Sequence, residues 1–200
     1  RLHQISQRCC ATVFGPGLST DESIAELLAA TWRDWETPCV IDADAITIAS
    51  KGVPLPSTPC VLTPHAGEMG RLLHCSKAEI QGDRFTAVTQ AIYGFQKTVL
   101  LKGPYTIVGE PDTPMSVNQT GNPGLASAGM GDVLSGVIGT LLSQHLPAYD
   151  AACCGVFWHG LAGDLCAEEI GAIGFTAMDV ANALPKARAR MVAACDQNSD

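Results

Sequence analysis

Charge is scarce in this chain. Only 16% of its 200 residues are charged, with 12 Lys and Arg against 20 Asp and Glu. A formal charge of −8 argues against a general nucleic-acid partner, because neutralising phosphates needs clustered basic side chains. A nucleotide ligand stays open, since such a site is local. No apolar run reaches the roughly 20 residues of a membrane span, and no basic-then-apolar leader opens the sequence. A soluble protein with no membrane partner is therefore expected. CxxC pairs of zinc-ligand spacing are missing too. The nine cysteines are odd in number and include the neighbours Cys9–Cys10 and Cys153–Cys154, which makes a poor disulfide framework. Most sit in apolar surroundings, where a thiol behaves as a small buried hydrophobe, so a reducing, cytoplasmic setting is expected.

What is present is apolar and ordered. Hydrophobic residues make up 46%, and the length suits one globular domain with a sizeable core. Short apolar strands are predicted at 11–14, 39–42, 60–63 and 98–103, with a hairpin from 105–109 and 115–118. Helical periodicity falls at 21–32, from Ala43 onward, from Pro64 through Leu73, at 83–96, and at 131–143, 148–168 and 176–193. Pro64 fits a first helical turn. Alternating strands and helices followed by a helical tail predict an α/β layer fold with a mostly parallel sheet. Ligands of such sheets lie beyond the carboxyl ends of the strands. No repeat, low-complexity stretch or second-domain boundary interrupts the chain.

The most unusual stretch is "NQTGNPGLASAGMGDVLSGVIGTLL", 118–142. Gly121, Gly124, Gly129 and Gly131 precede Asp132, and an apolar helix follows. It is neither a Walker A loop nor a GxGxxG fingerprint, since both the spacing and the position in the chain are wrong. Glycines let backbone amides approach a ligand, and a helix start offers unpaired N–H groups to an anion. Ala128 to Gly131 therefore read as a cradle for a phosphate or a transferring phosphoryl group. Asp132 either caps those amides or, if phosphate takes them, points into the site to accept a hydroxyl proton. The chemistry that follows is phosphoryl transfer to a small hydroxyl-bearing molecule.

Other candidates sit at strand ends. "VIDADAI" places Asp42 and Asp44 there, as ligand-facing acids or as a helix cap and a solvated acid. "LTPHAGEMGRLL" brackets a helix start with His65 and Glu68, and Glu68 could order magnesium beside phosphates. Lys102 and Gly103 in "LLKGPYTIV" could neutralise nucleotide phosphate or simply close a hairpin. Gly15 and Gly17 in "VFGPGLS" form a third glycine turn. His159, in "VFWHGLAGD", lies mid-helix among apolar residues, as packed core histidines do.

Those motifs, with "GNPGLASAGMGDVLSGVIGTLL", occur in the order that resembles the ADP/ATP-dependent NAD(P)H-hydrate dehydratases. The resemblance covers essentially all of the chain and implies a ribokinase-like three-layer fold. The family usually opens with a further strand, glycine-rich loop and helix. Residues 1–200 are thus expected to be one domain, N-terminally incomplete, lacking its first strand–helix unit. The implied reaction phosphorylates the hydroxyl of hydrated NADH or NADPH (NADHX, NADPHX) with ADP or ATP and Mg2+, then eliminates phosphate. Asp132 is then the catalytic acid/base and touches substrate with Gly17 and His65. Lys102, Gly103, Pro104, Tyr105, Thr106 and Gly131 correspond to the nucleotide segment, and Glu68 to the acid near magnesium. A homo-oligomer is also implied, fused to or working with an epimerase domain. Departures are Ala128 in place of one glycine, and "KGPYT" where "KGAGT" is common. The rival readings are a ribokinase-like small-molecule kinase of the hydroxyethylthiazole or hydroxymethylpyrimidine type, often carrying Cys in place of Asp132, and a non-catalytic nucleotide-binding module.

Overall fold

The computed structural model describes residues 8–197. Its centre is a six-stranded sheet in the order β1 (Thr12–Phe14), β2 (Cys39–Ile41), β3 (Cys60–Leu62), β4 (Thr98–Leu101), β5 (Ile107–Glu110) and β6 (Thr113–Val117). β1 to β4 run parallel, while β5 and β6 are antiparallel, as the hairpin spacing predicted. β2, β3 and β4 are buried at every residue, which suits a parallel sheet covered on both faces.

Period two sends alternate strand residues to opposite layers. Ile41, Leu62 and Leu101 pack with α1 (Glu22–Arg33), α2 (Ala43–Ala49), α3 (Ala66–Leu72) and α5 (Arg84–Phe95). Val40, Val61 and Leu100 face the other way, onto α6 (Met130–Ser143) and α7 (Ala148–Glu169). Leu134, Ile138 and Leu142, spaced by four, form the stripe of α6 that covers the sheet. Gly139 lets α6 sit close to the sheet, because a Cβ there would lie 2.9 Å from Val13. α8 (Ala177–Gln197) packs outside α6 and α7.

Several boundaries differ from the sequence reading. α4 (Lys77–Gly82) was not anticipated, although Ser76 and Glu79 form a capping box at its start. A 3-10 turn at Pro123–Ala126, capped by Asn122, was also missed. Pro64 does not lie in the first turn of α3. His65 is the N-cap, so Pro64 precedes the helix, where its missing N–H costs nothing. β4 stops at Leu101, freeing Lys102 and Gly103 for a turn. The described cysteines are free thiols, and the side chain of Cys195 lies outside the described residues.

Candidate functional site

Four parallel strands deliver four motifs to one sheet edge. After β1 comes Gly15, at φ +130°. A Cβ there would fall 1.7 Å from the Asp42 carbonyl oxygen, so only glycine lets these two strand ends meet. Asp44 then accepts a hydrogen bond from the Ser19 N–H at 2.9 Å and fixes the turn that carries Gly17, which is exposed at φ +67°.

Asp42 follows β2 and is 1% exposed. One oxygen accepts from Lys102 Nζ at 2.8 Å and from the Ala43 N–H at 2.9 Å. The other accepts from the Ser135 hydroxyl at 2.7 Å. Burial alone would push the Asp42 carboxyl up. The Lys102 ammonium, with hydrogen bonds from Lys102, Ser135 and Thr63, outweighs burial and holds it below the ordinary 3.8.

After β3, the His65 Nδ1 accepts from the Gly67 and Glu68 N–H groups, each at 3.0 Å. Glu68 Oε2 returns the contact, accepting from the His65 N–H at 2.8 Å. This reciprocal box fills the start of α3 and leaves the His65 Nε2 facing outward, 3.5 Å from Glu68 Oε1. Lys102, after β4, lies 3.8 Å from Glu68 Oε2 as well as against Asp42. Gly131 completes the group: a Cβ on it would be 3.4 Å from Lys102 Nζ and 3.8 Å from Asp42 Oδ2.

The start of α6 differs from its neighbours. α2 and α3 begin under side-chain caps, whereas α6 begins at Gly129, in the left-handed region at φ +81°, with no side-chain cap. Val133 N–H bonds the Gly129 carbonyl, but the N–H groups of Gly131 and Asp132 have no acceptor among the described residues. Open amides and the positive end of the helix dipole lie beside the Lys102 ammonium, an arrangement of the kind that attracts anions. Asp132 does not cap the helix. It is exposed, and its carboxylate has no partner among the described residues. Ala128 is in ordinary backbone space, because the positive φ falls on Gly129 instead.

The rest of the expected nucleotide segment is placed differently. Gly103, Pro104 and Tyr105 are exposed, and Tyr105 is held at φ +54°. Arg84 of α5 donates to the carbonyls of Pro104 and Leu101, and Thr106 Oγ1 donates to the Gly103 carbonyl at 3.1 Å, so this turn is tethered beside the site. His65, Glu68, Lys102 and Gly131 are thus brought together at one edge with Asp132 one residue on, and Gly17 and the 103–106 turn flank them. Sequence reasoning did not single out Ser135. Its signal is a polar residue on the apolar stripe of α6, which has to find a partner when buried.

Among the described residues no group of three or more His, Cys, Asp or Glu could hold a metal. Besides the free Asp132 carboxylate, Glu68 offers an oxygen, Oε1, whose neighbour among the described residues is the His65 ring. That suits Mg2+, which takes one or two carboxylates and completes its shell with water and phosphate oxygens.

The model of the NAD(P)H-hydrate dehydratase family matches residues 1–186. The chain belongs to this family. It is 42% identical over 180 residues to the ADP-dependent (S)-NAD(P)H-hydrate dehydratase of Neisseria meningitidis, covering 86% of this chain and 61% of that protein. It is 40% identical over 190 residues to the bifunctional NAD(P)H-hydrate repair enzyme of Thermofilum pendens, covering 94% and 36%. Among solved structures, the ADP/ATP-dependent NAD(P)H-hydrate dehydratase of Bacillus subtilis, co-crystallised with ATP/Mg2+ and soaked with CoA, superposes with a TM-score of 0.83. That match has 31% identity and covers 90% of this chain and 66% of the other. A ribokinase-like superfamily protein from Enterococcus faecalis gives 0.80 at 25% identity, so the family member described here has the ribokinase-like fold. A hydroxyethylthiazole kinase from Pyrococcus horikoshii shares the fold alone, at 18% identity. This dehydratase-family chain spans 61% and 36% of the lengths of the Neisseria and Thermofilum relatives.

Proposed function

We propose that this chain restores NADH and NADPH from their (S)-hydrates at the expense of ADP or ATP. The observation that carries the proposal is the uncapped start of α6, where two open amides lie beside Lys102 and the next carboxylate, Asp132, is free. The Gly131 and Asp132 amides, with Lys102, hold the phosphoryl group as it leaves the nucleotide. Asp132 takes the proton of the hydrate hydroxyl as its oxygen attacks phosphorus. Loss of phosphate and a ring proton then regenerates the dihydronicotinamide, leaving ADP from ATP, or AMP from ADP. Magnesium beside Glu68 would screen the charge of the nucleotide phosphates. His65 presents its Nε2–H to the substrate, Gly17 lets it approach the backbone, and the turn of Gly103, Pro104, Tyr105 and Thr106 borders the nucleotide.

Hydrated NADH incubated with the protein, Mg2+ and ADP or ATP should regain the near-ultraviolet absorbance of NADH in step with phosphate release. Nucleotide binding without that recovery would sink the proposal and leave a non-catalytic module. Phosphate transfer to a thiazole or pyrimidine alcohol instead would establish the kinase alternative. Family membership supports the dehydratase over both.

Three wider expectations belong to the same reading. An NAD(P)H-hydrate epimerase works with this domain, supported by relatives named as bifunctional repair enzymes and far longer than this chain. The free thiols support a cytoplasmic setting, where alkylation in cell extract should count every described cysteine as reduced. Exposed Ile170 and Ile173 between α7 and α8, and exposed Met178 in the first turn of α8, support a homo-oligomer, which a monomeric mass in sedimentation would refute.

Gly131→Ala should separate stability from activity. Alanine in a helical turn is worth roughly 0.5–1 kcal/mol over glycine, so the melting temperature should hold or rise. The added methyl, 3.4 Å from Lys102 Nζ, would stand where the phosphoryl group belongs and should weaken nucleotide binding about tenfold or more. Unchanged nucleotide affinity would move the anion site away from α6.

A further inference from the structure

The segment "WHGLAGD" of α7 carries two polar side chains that the proposed chemistry does not use, His159 and Asp164. Asp164 points its hydrogen bonds at the glycine-rich segment. Asp164 Oδ2 accepts from the Gly121 N–H at 2.9 Å, and its Oδ1 accepts from Asn122 Nδ2 at 3.0 Å. Asn122 passes the restraint on: its Oδ1 accepts from the Gly124 N–H at 3.0 Å and caps the 3-10 turn. At the other end of the segment, the His159 ring is buried, and its Nε2 has no hydrogen-bond partner among the described residues.

Beside the Asp164 anchor, α7 is shaved to receive the chain. A Cβ on Gly160 would lie 2.2 Å from Thr120 Oγ1, and one on Gly163 would lie 2.7 Å from the Leu125 side chain. The Thr120 hydroxyl also donates to the Phe157 carbonyl at 3.0 Å. Residues 120 to 125 therefore lie in a track on α7, and α6 begins five residues further on, where Gly129 approaches Ala177 of α8. Among the described residues, the Asp164 carboxylate hydrogen-bonds only Gly121 and Asn122, so it serves the loop. That matters because the segment has left-handed glycines at Gly121 and Gly129 and would otherwise sample many conformations.

We infer that Asp164 is a positioning residue. It seats Gly121 and Asn122 on α7, and so fixes the direction in which the amides of Gly131 and Asp132 and the Asp132 carboxylate meet the transferring phosphoryl group. The inference rests on the proposed role of Asp132. Misplacing a reacting group by about 1 Å costs on the order of a hundredfold in rate, so a loosened turn is sufficient to slow the reaction.

Asp164→Asn keeps the shape of the side chain but turns one acceptor into a donor, so one of the two bonds is lost. Turnover of hydrated NADH should fall roughly ten- to a hundredfold, while the nucleotide Kd changes by less than about threefold. In an Asp132→Asn background the same change should cost clearly less than in the wild type, because the carboxylate is gone and only the amides remain to be misplaced. A full, multiplicative loss in that background would show a general structural role and overturn the inference. If Asp164→Asn does not fold, Asn122→Ala, which leaves α7 untouched, carries the same expectation. A readout independent of activity separates this claim from the proposed function. Amide exchange over residues 119–131 should speed up by about tenfold in Asp164→Asn while the sheet stays protected. Exchange unchanged in that segment would overturn the inference even if the enzyme is a dehydratase. Fast exchange in a protein with no dehydratase activity would keep the seat and remove only the proposed reaction.

Discussion

Asp132→Asn is expected to fold, bind adenine nucleotide and lose roughly two to four decades of turnover, the usual contribution of a positioned acid/base. Two magnitudes make this a clean test. The side chain is exposed with no partner among the described residues, so the structural cost is confined to its interaction with the helix dipole, about 0.3–1 kcal/mol. The rate loss corresponds to roughly 3–5 kcal/mol of barrier, which that small destabilisation cannot produce by unfolding the enzyme. Nucleotide affinity should hold or improve, since an anion near the phosphates is removed while the amides and Lys102 remain. Single-turnover rates with hydrated NADH, together with a melting curve and an ADP titration, measure all three quantities. Turnover near that of the wild type would show that the hydroxyl proton goes elsewhere, for instance to solvent.

The layer architecture was legible because its signals are local. "CVI", "CVL" and "TVLL" are continuous apolar runs too short for helices, and β2, β3 and β4 are buried on both faces. The site edge was legible for the same reason, since chemistry-bearing residues follow each run directly. What the sequence left open was which neighbour each side chain would choose. Asp42 read equally well as a cap or as a ligand-facing acid. In the fold it caps α2 and also binds Lys102, 60 residues away, and Ser135, 93 residues away. No periodicity encodes such pairings. His65 likewise shares its turn with Glu68 as expected, but its Nδ1 is spent on capping α3, leaving only the Nε2 for a ligand. Asp132 went the opposite way: the cap reading fell because Gly129 starts the helix through its own backbone conformation.

Asp42→Asn is the substitution expected to cost the fold most among the site residues. Its carboxylate is buried and saturated: Lys102 and Ala43 on one oxygen, Ser135 on the other. The amide can keep its oxygen toward Lys102 and Ala43 only if the Ser135 hydroxyl reverses to accept its N–H, and it leaves the Lys102 ammonium with no carboxylate closer than Glu68 at 3.8 Å. Removing one partner of a buried ion pair costs about 3–5 kcal/mol, and the partial exposure of Lys102 brings the expectation toward about 2–3 kcal/mol. Because the folded carboxyl sits below the ordinary 3.8, the wild type gains this stability only while Asp42 is ionised. The gap in unfolding free energy between wild type and variant should therefore be flat from neutral pH down to about 5 and close as the pH falls below about 4. Urea midpoints across that range read it directly, and a gap that stays constant in acid would mean that charge plays no part. Activity should fall with stability but for a separate reason. A Lys102 no longer drawn to Asp42 swings toward Glu68, 3.8 Å away, and leaves the open amides of α6 to hold the phosphoryl group alone. The KM for nucleotide should then rise more than kcat falls, the reverse of the pattern expected for Asp132→Asn, so the two acids at this edge are separable by kinetics alone.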